Sequence, residues 1–137
     1  MEYRTLPGTD LRLPRLVLGT MTFGAQVDRE VAGTMVDRCR DEGITMFDTA
    51  NSYNAGASEQ ILGEIVAPFR ADVLIASKVF NPVGDGSSYR GLRRAAIKEA
   101  LEATLRRLAP TTWICTTCTL PTGTLPSTRR SVPWPRR

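Results

Sequence analysis

Histidine is absent from the 137 residues, and cysteine occurs three times, at Cys39, Cys115 and Cys118. Three cysteines are too few for a disulfide scaffold. Cys115 and Cys118 form a C-x-x-C, a spacing used in redox chemistry or as half of a zinc site. With no histidine and no second pair, a closed four-ligand site cannot be assembled from the Cys and His of this chain, so no metal is expected. No apolar run approaches the ~18 residues of a membrane span. Met1-Glu2-Tyr3-Arg4 lacks the basic-then-apolar pattern of a secretory leader. A cytoplasmic chain with no membrane partner is the expectation, and composition is silent on oligomeric state. Acidic residues are missing from position 109 onward, and the net charge of +4 comes wholly from Arg129, Arg130, Arg136 and Arg137. A nucleic-acid partner would need arginines clustered on a folded face, and none is expected.

What is present begins with a hairpin pattern. Tyr3-Arg4-Thr5-Leu6 and Leu11-Arg12-Leu13 flank the turn-rich Pro7-Gly8-Thr9-Asp10. Leu16-Val17-Leu18 reads as a first parallel strand, and Gly19 and Gly24 bracket a loop, Thr20-Met21-Thr22-Phe23. Asp28 is a predicted N-cap for a helix through about Glu42, with Gly43 just beyond it. Val31, Ala32, Met35, Val36 and Cys39 recur on one face of that helix, which makes Cys39 core filler rather than a nucleophile. Ile44 to Phe47 is a second strand and Val73 to Ser77 a third, the latter a continuous apolar run of the kind buried parallel strands show. Ser58 is placed to cap a second helix that runs to about Val66 and stops before Pro68. After a loop from Val79 to Ser88, a third helix is predicted from about Tyr89 to Leu108, with Leu92, Ala96, Ile97, Ala100, Leu101, Leu105 and Leu108 inward. Strand alternating with helix argues for βαβ units on a parallel sheet.

The second strand delivers Asp48 at its end, and Tyr53 follows five residues later in a polar, glycine-containing loop. An acid at a strand's carboxyl end with a tyrosine in the next loop suits the rim of a βα-barrel, where such loops build active sites. Taken alone, the pair also fits a capping aspartate and a surface tyrosine. The wider pattern resembles the aldo-keto reductases. Leu18-Gly19-Thr20-Met21-Thr22-Phe23-Gly24 is similar to that family's first-strand end. Phe47-Asp48-Thr49-Ala50-Asn51-Ser52-Tyr53 with Ser58-Glu59-Gln60-Ile61-Leu62-Gly63 is similar to its aspartate–tyrosine loop and second helix, and Ile75-Ala76-Ser77-Lys78-Val79 to its third strand with the lysine. The spacings from Asp48 to Tyr53 and from Tyr53 to Lys78 agree as well, and the resemblance covers residues 2 to 108. It is closest in style to the branch holding aflatoxin-aldehyde reductases and potassium-channel β subunits. A complete (β/α)₈ barrel typically needs about 250 residues. The resemblance therefore implies the N-terminal portion of a TIM barrel: a hairpin and three βα units within 1–108, then an irregular tail, 109–137.

That tail contains eight threonines and five prolines. Its prolines interrupt any helix or central strand, and no periodicity survives. Codon degeneracy suggests why. The last base of each codon is read with the first two of the next, starting at Leu108. This permits glycine, threonine, aspartate, tyrosine, leucine, aspartate, leucine, tyrosine, tyrosine, leucine, histidine, a string that resembles the family's fourth strand. Trp113 followed by Ile114 forces the second aspartate. A shift of reading frame near codons 108 and 109 is the expectation.

The resemblance also implies chemistry. A complete relative moves a hydride from a nicotinamide cofactor, usually NADPH, to a small-molecule aldehyde or ketone. Tyr53 is then the general acid. A free tyrosine holds its proton too tightly for efficient shuttling at neutral pH, and the Lys78 ammonium beside it favours the phenolate. Asp48 pairs with Lys78 and orients it. Thr20 and Met21, with Asp48, are expected at the cofactor. The family's histidine is missing, and the chain itself is expected to be truncated and inactive. Two other readings stand beside this one: a non-catalytic interaction module, as in potassium-channel β subunits, and a redox or zinc protein using Cys115 and Cys118.

Overall fold

The hairpin forms where the turn residues place it. In the computed structural model, which describes residues 1–83 and 91–108 and the backbone of 114–118, β1 (Tyr3–Thr5) pairs antiparallel with β2 (Arg12–Pro14). The connector closes through Leu6 N–H donating to Leu11 O at 2.9 Å and Thr9 N–H to Leu6 O at 3.1 Å. Tyr3 ties this hairpin to the rest of the molecule, its hydroxyl donating to Gly43 O at 2.6 Å.

A four-stranded parallel sheet follows, in the order β3 (Leu18–Gly19), β4 (Met46–Asp48), β5 (Leu74–Val79), β6 (Ile114–Cys118). Helix α1 (Arg29–Asp41) joins β3 to β4, and α2 (Ala57–Val66) leads towards β5. Asp28 caps α1 as predicted, its side chain accepting from Val31 N–H at 2.9 Å. The other end closes in a Schellman pattern: Gly43 N–H reaches Arg40 O and Ile44 N–H reaches Cys39 O, both at 2.8 Å. That reversal needs a left-handed residue, and Gly43 has φ +75°.

Phe23, Ala32, Val36, Phe47, Leu62, Val66, Val73, Ile75 and Leu108 form one buried cluster between sheet and helices. Each fully buried Phe, Leu or Ile contributes roughly 1.5–3 kcal/mol. Cys39 packs against this cluster, half-buried, and burial pushes its thiol pKa up. Val31, expected inward on α1, is 49% exposed and lies outside the stripe that Ala32 and Val36 bury.

Three expectations are corrected. Helix α2 begins at Ala57 with Gly56, not Ser58, at its N-cap; Ser58 is fully buried and bonds elsewhere. Helix α3 runs Arg94–Leu108 and buries Ala96, Ala100, Thr104 and Leu108, an i, i+4 stripe of mostly small side chains. Leu92 precedes the helix and is 36% exposed, which removes it from the inner face. The expected start at Tyr89 lies outside the described residues, as does most of the tail. Within the tail, however, Ile114–Cys118 is not irregular: it forms β6, in register with Ile75–Val79. The segment is β-branched-rich (Ile114, Thr116, Thr117) and free of proline, and β5 offers an open edge for its ladder. A wholly unstructured tail is one support of the frame-shift reading, and β6 removes it; the codon argument is independent of the fold.

Candidate active site

Parallel pairing fixes where the three candidate residues stand. Gly19, Asp48 and Ala76 are register partners across β3, β4 and β5. Side chains alternate along a strand, so Lys78, two residues beyond Ala76, shares the face on which Asp48 projects. The chain leaving β4 continues along β5: Thr49 N–H donates to Ala76 O at 2.8 Å and Asn51 N–H to Lys78 O at 3.1 Å. That pairing carries Tyr53 to the side of Lys78.

The trio converges. Lys78 Nζ donates to Asp48 Oδ2 at 2.5 Å, to Thr49 O at 2.9 Å and to the Tyr53 hydroxyl at 3.1 Å. It also lies 4.9 Å from the Tyr53 ring centroid. The Lys78 side chain is 23% exposed and that of Asp48 37%. Burial by itself lowers the lysine pKa, but the hydrogen bonds to Asp48 and Tyr53 and the charge of Asp48 outweigh it, and the net shift is upward. The ammonium is therefore held charged beside the phenol.

Tyr53 opens a short turn, Tyr53–Gly56, with unusual backbone. Asn54, Ala55 and Gly56 have φ of +50°, +55° and +94°. Asparagine and glycine tolerate this region, whereas Ala55 is strained there by roughly 1 kcal/mol or more. Asn54 offsets that cost, its amide donating to Met21 O at 2.9 Å and Phe23 O at 2.7 Å. The tyrosine turn is thus laced to the loop after β3.

Thr20 and Met21 part company. Met21 is 61% exposed on the rim. Thr20 is fully buried, its hydroxyl 3.1 Å from Asp48 O and 2.9 Å from Ser58 Oγ. Ser58 in turn donates to Thr20 O at 2.7 Å and lies 3.1 Å from the Thr49 hydroxyl. Ser58 is therefore a hub behind the strand ends, a role that its position at a predicted helix start concealed.

A cavity of about 70 Å³ adjoins Tyr53 and Lys78 and is otherwise lined by Ala50, Asn51, Ser52, Val79 and Asn81. It has room for small polar groups beside the phenol, not for a dinucleotide. A larger cleft of about 470 Å³ lies between Asn51 and α3 and includes none of the trio. Among the described residues no group of three or more His, Cys, Asp or Glu stands close enough to hold a metal ion, and no helix is long and apolar enough to cross a membrane. The side chains of Cys115 and Cys118 lie outside the described residues.

The acid and the lysine stand at the carboxyl ends of adjacent parallel strands, with the tyrosine in the intervening strand-to-helix loop, the face on which βα-barrel proteins build their sites. The chain belongs to the Aldo/keto reductase family, whose sequence profile matches residues 15–112. It is 42% identical over 119 residues to the uncharacterized oxidoreductase YrpG of Bacillus subtilis (strain 168), covering 79% of this chain and 36% of that protein. It is 34% identical over 140 residues to a probable voltage-gated potassium channel subunit beta of Oryza sativa subsp. japonica, covering 98% of this chain and 42% of that one. Among solved structures, aldo-keto reductase AKR11C1 from Bacillus halodurans (holo form) superposes with a TM-score of 0.70 at 35% identity, over 79% of this chain and 36% of that chain. The chain thus spans well under half the length of these relatives.

Proposed function

We propose that Asp48, Tyr53 and Lys78 form the proton-donating end of an NADPH-dependent reductase that converts aldehydes or ketones to alcohols. The observation that carries this reading is the Lys78 ammonium bonded at once to Asp48 and to the Tyr53 hydroxyl. The nicotinamide cofactor, when bound, supplies the hydride that adds to the carbonyl carbon. Tyr53 gives its proton to the carbonyl oxygen as negative charge develops there. Lys78 stabilises the phenolate left behind, and Asp48 holds the ammonium charged and in place. Tyr53 then recovers a proton from water, for which the adjoining cavity gives room.

In this reading Met21, exposed on the rim, and Asp48 meet the cofactor's ring end, while Thr20, expected at the cofactor but fully buried against Ser58 and Asp48 O, supports the site from behind. Asp48, Tyr53 and Lys78 fit the chemistry at the ring end, and the 70 Å³ cavity beside Tyr53 and Lys78 is far smaller than a dinucleotide. The 137-residue polypeptide assayed alone is therefore expected to show no saturable NADPH binding at micromolar concentration. The experiment is a cofactor-fluorescence titration and a turnover assay with NADPH and 2-nitrobenzaldehyde, on this polypeptide and on one completed through the shifted reading frame. The completed chain should turn over, and Tyr53→Phe should lower its kcat by about 10²–10⁴. Saturable binding to a completed chain without turnover would favour the second reading, a non-catalytic interaction module. The name of the rice relative supports that reading.

A further inference from the structure

Behind the sheet, on the side away from Lys78, a carboxylate is completely enclosed. Glu59 on α2 is 0% exposed. Its Oε1 accepts from Ser77 Oγ at 2.5 Å and from Thr104 Oγ1 at 2.9 Å, and its Oε2 accepts from Arg107 Nε at 2.7 Å. Arg107 Nη2 is also 2.7 Å from that second oxygen, an ion contact outside hydrogen-bond geometry. A buried charge is tolerated only when paired and hydrogen-bonded, and here the donors come from two elements, β5 and α3. Neither the proton relay nor the helix stripe accounts for this cluster.

Its placement is informative. Ser77 is the residue before Lys78, and alternation along β5 puts their side chains on opposite faces. Glu59 thus grips β5 one residue from the ammonium. Arg107, held by the same carboxylate, lies against Gly56, the last residue of the tyrosine turn. A Cβ at Gly56 would stand 3.2 Å from Arg107 Nε and 3.3 Å from its Cδ. One buried carboxylate therefore touches the strand that carries Lys78 through Ser77, and the turn that carries Tyr53 through Arg107.

We infer that Glu59 is a positioning residue, setting the separation of Lys78 and Tyr53 from the far side of the sheet through Ser77 and Arg107. The inference rests on the reading of Lys78 and Tyr53 as a proton pair, and its test does not require activity.

The chain contains only two lysines, Lys78 and Lys98. Growth on lysine ¹³C-labelled at Cε therefore yields two signals, and titrating them follows Lys78 directly, with Lys98 as internal control. Tyr53→Phe first tests the site reading: the Lys78 titration should move downward when its phenol partner goes. If it stays put, the pair reading fails, whatever Glu59 does. Ser77→Ala then removes the grip on β5 with all charges kept, and Thr104→Ala removes a donor to the same carboxylate oxygen from α3. The Lys78 signal should shift in Ser77→Ala and its titration midpoint fall towards that of a free lysine, while Thr104→Ala leaves both near wild type. Glu59→Gln should exceed Ser77→Ala. A Lys78 signal unmoved in folded Ser77→Ala would overturn the inference, as would an equal response to Thr104→Ala, since either leaves Glu59 a purely structural anchor.

Discussion

Gly63 offers a test of how α2 and α3 are held together. It lies in the middle of α2, where glycine ordinarily costs about 1 kcal/mol relative to alanine. On propensity alone Gly63→Ala should stabilise the protein. The structure predicts the opposite. A Cβ at Gly63 would overlap the Arg107 carbonyl oxygen and stand 3.0 Å from Leu108 Cα and 3.2 Å from Arg107 C. Carbon atoms settle near 3.5–4.0 Å, and every atom met here is backbone, so no rotamer change relieves the contact. Helix α3 must retreat, withdrawing the fully buried Leu108 from the core and lengthening the bond from Arg107 to Glu59. Overpacking of this kind costs about 1–3 kcal/mol, which cancels or exceeds the propensity gain of about 1 kcal/mol, so no stabilisation and a net loss of up to about 2 kcal/mol is expected. Gly33 in α1 is the control, because nothing lies within 4 Å of its Cβ position. Gly33→Ala should gain about 0.5–1 kcal/mol from propensity alone. Thermal and urea denaturation followed by far-UV circular dichroism compares the two, each kcal/mol moving Tm by several degrees. Equal stabilisation by both substitutions would refute the close approach of α2 to α3.

Asp48→Asn should weaken the protein at neutral pH, because the Lys78 ammonium loses its charged partner and keeps at most a neutral amide acceptor there. The folded lysine pKa is raised, so the stabilisation linked to its charge is complete below the ordinary value of 10.5 and lost as pH rises through the folded one. The gap between wild type and Asp48→Asn in urea denaturation should therefore narrow above pH 10.5; a gap constant with pH would contradict the assignment. Asp28→Ala removes the α1 cap and should cost about 1 kcal/mol, with Asp28→Ser restoring most of it in the same assay. Nucleotide sequencing across codons 105 to 120 should reveal the inserted or missing base. A peptide from the tail together with an intact frame would end that reading.

The fold was legible wherever period and punctuation agreed. Asp28 and Gly43 marked both ends of α1, and short apolar runs marked the strands. Asp48 and Tyr53 were legible only as a strand-end acid and a loop tyrosine, and it was the resemblance to the aldo-keto reductases that joined Lys78 to them; the parallel register then accounts for their proximity. What escaped had a common cause: polar side chains turned inward. Ser58 reads equally as a cap or a hub until its partners are placed. Thr104 looks like an interruption of a helix stripe until Glu59 is seen opposite it. Glu59 and Arg107 would ordinarily be assigned to a solvated face, and only the tertiary meeting of α2 with α3 encloses Glu59 and half-buries Arg107. The fourth strand was hidden because the prolines on either side, Pro110 and Pro121, and the lack of any period outweighed a five-residue run with three β-branched side chains.

The two hydrogen bonds that run the Thr49–Asn51 segment along β5 have a kinetic consequence. A tyrosine on an ordinary rim loop would sample many positions, and its alignment would be gated by loop closure on the microsecond-to-millisecond scale. Here the two amides preceding the tyrosine turn should exchange with solvent at rates like those of the β5 ladder, opening only when the sheet opens. Tyr53 is carried by the sheet's own rigidity, so any slow motion in such a protein would arise from other segments rather than from placement of this tyrosine beside Lys78.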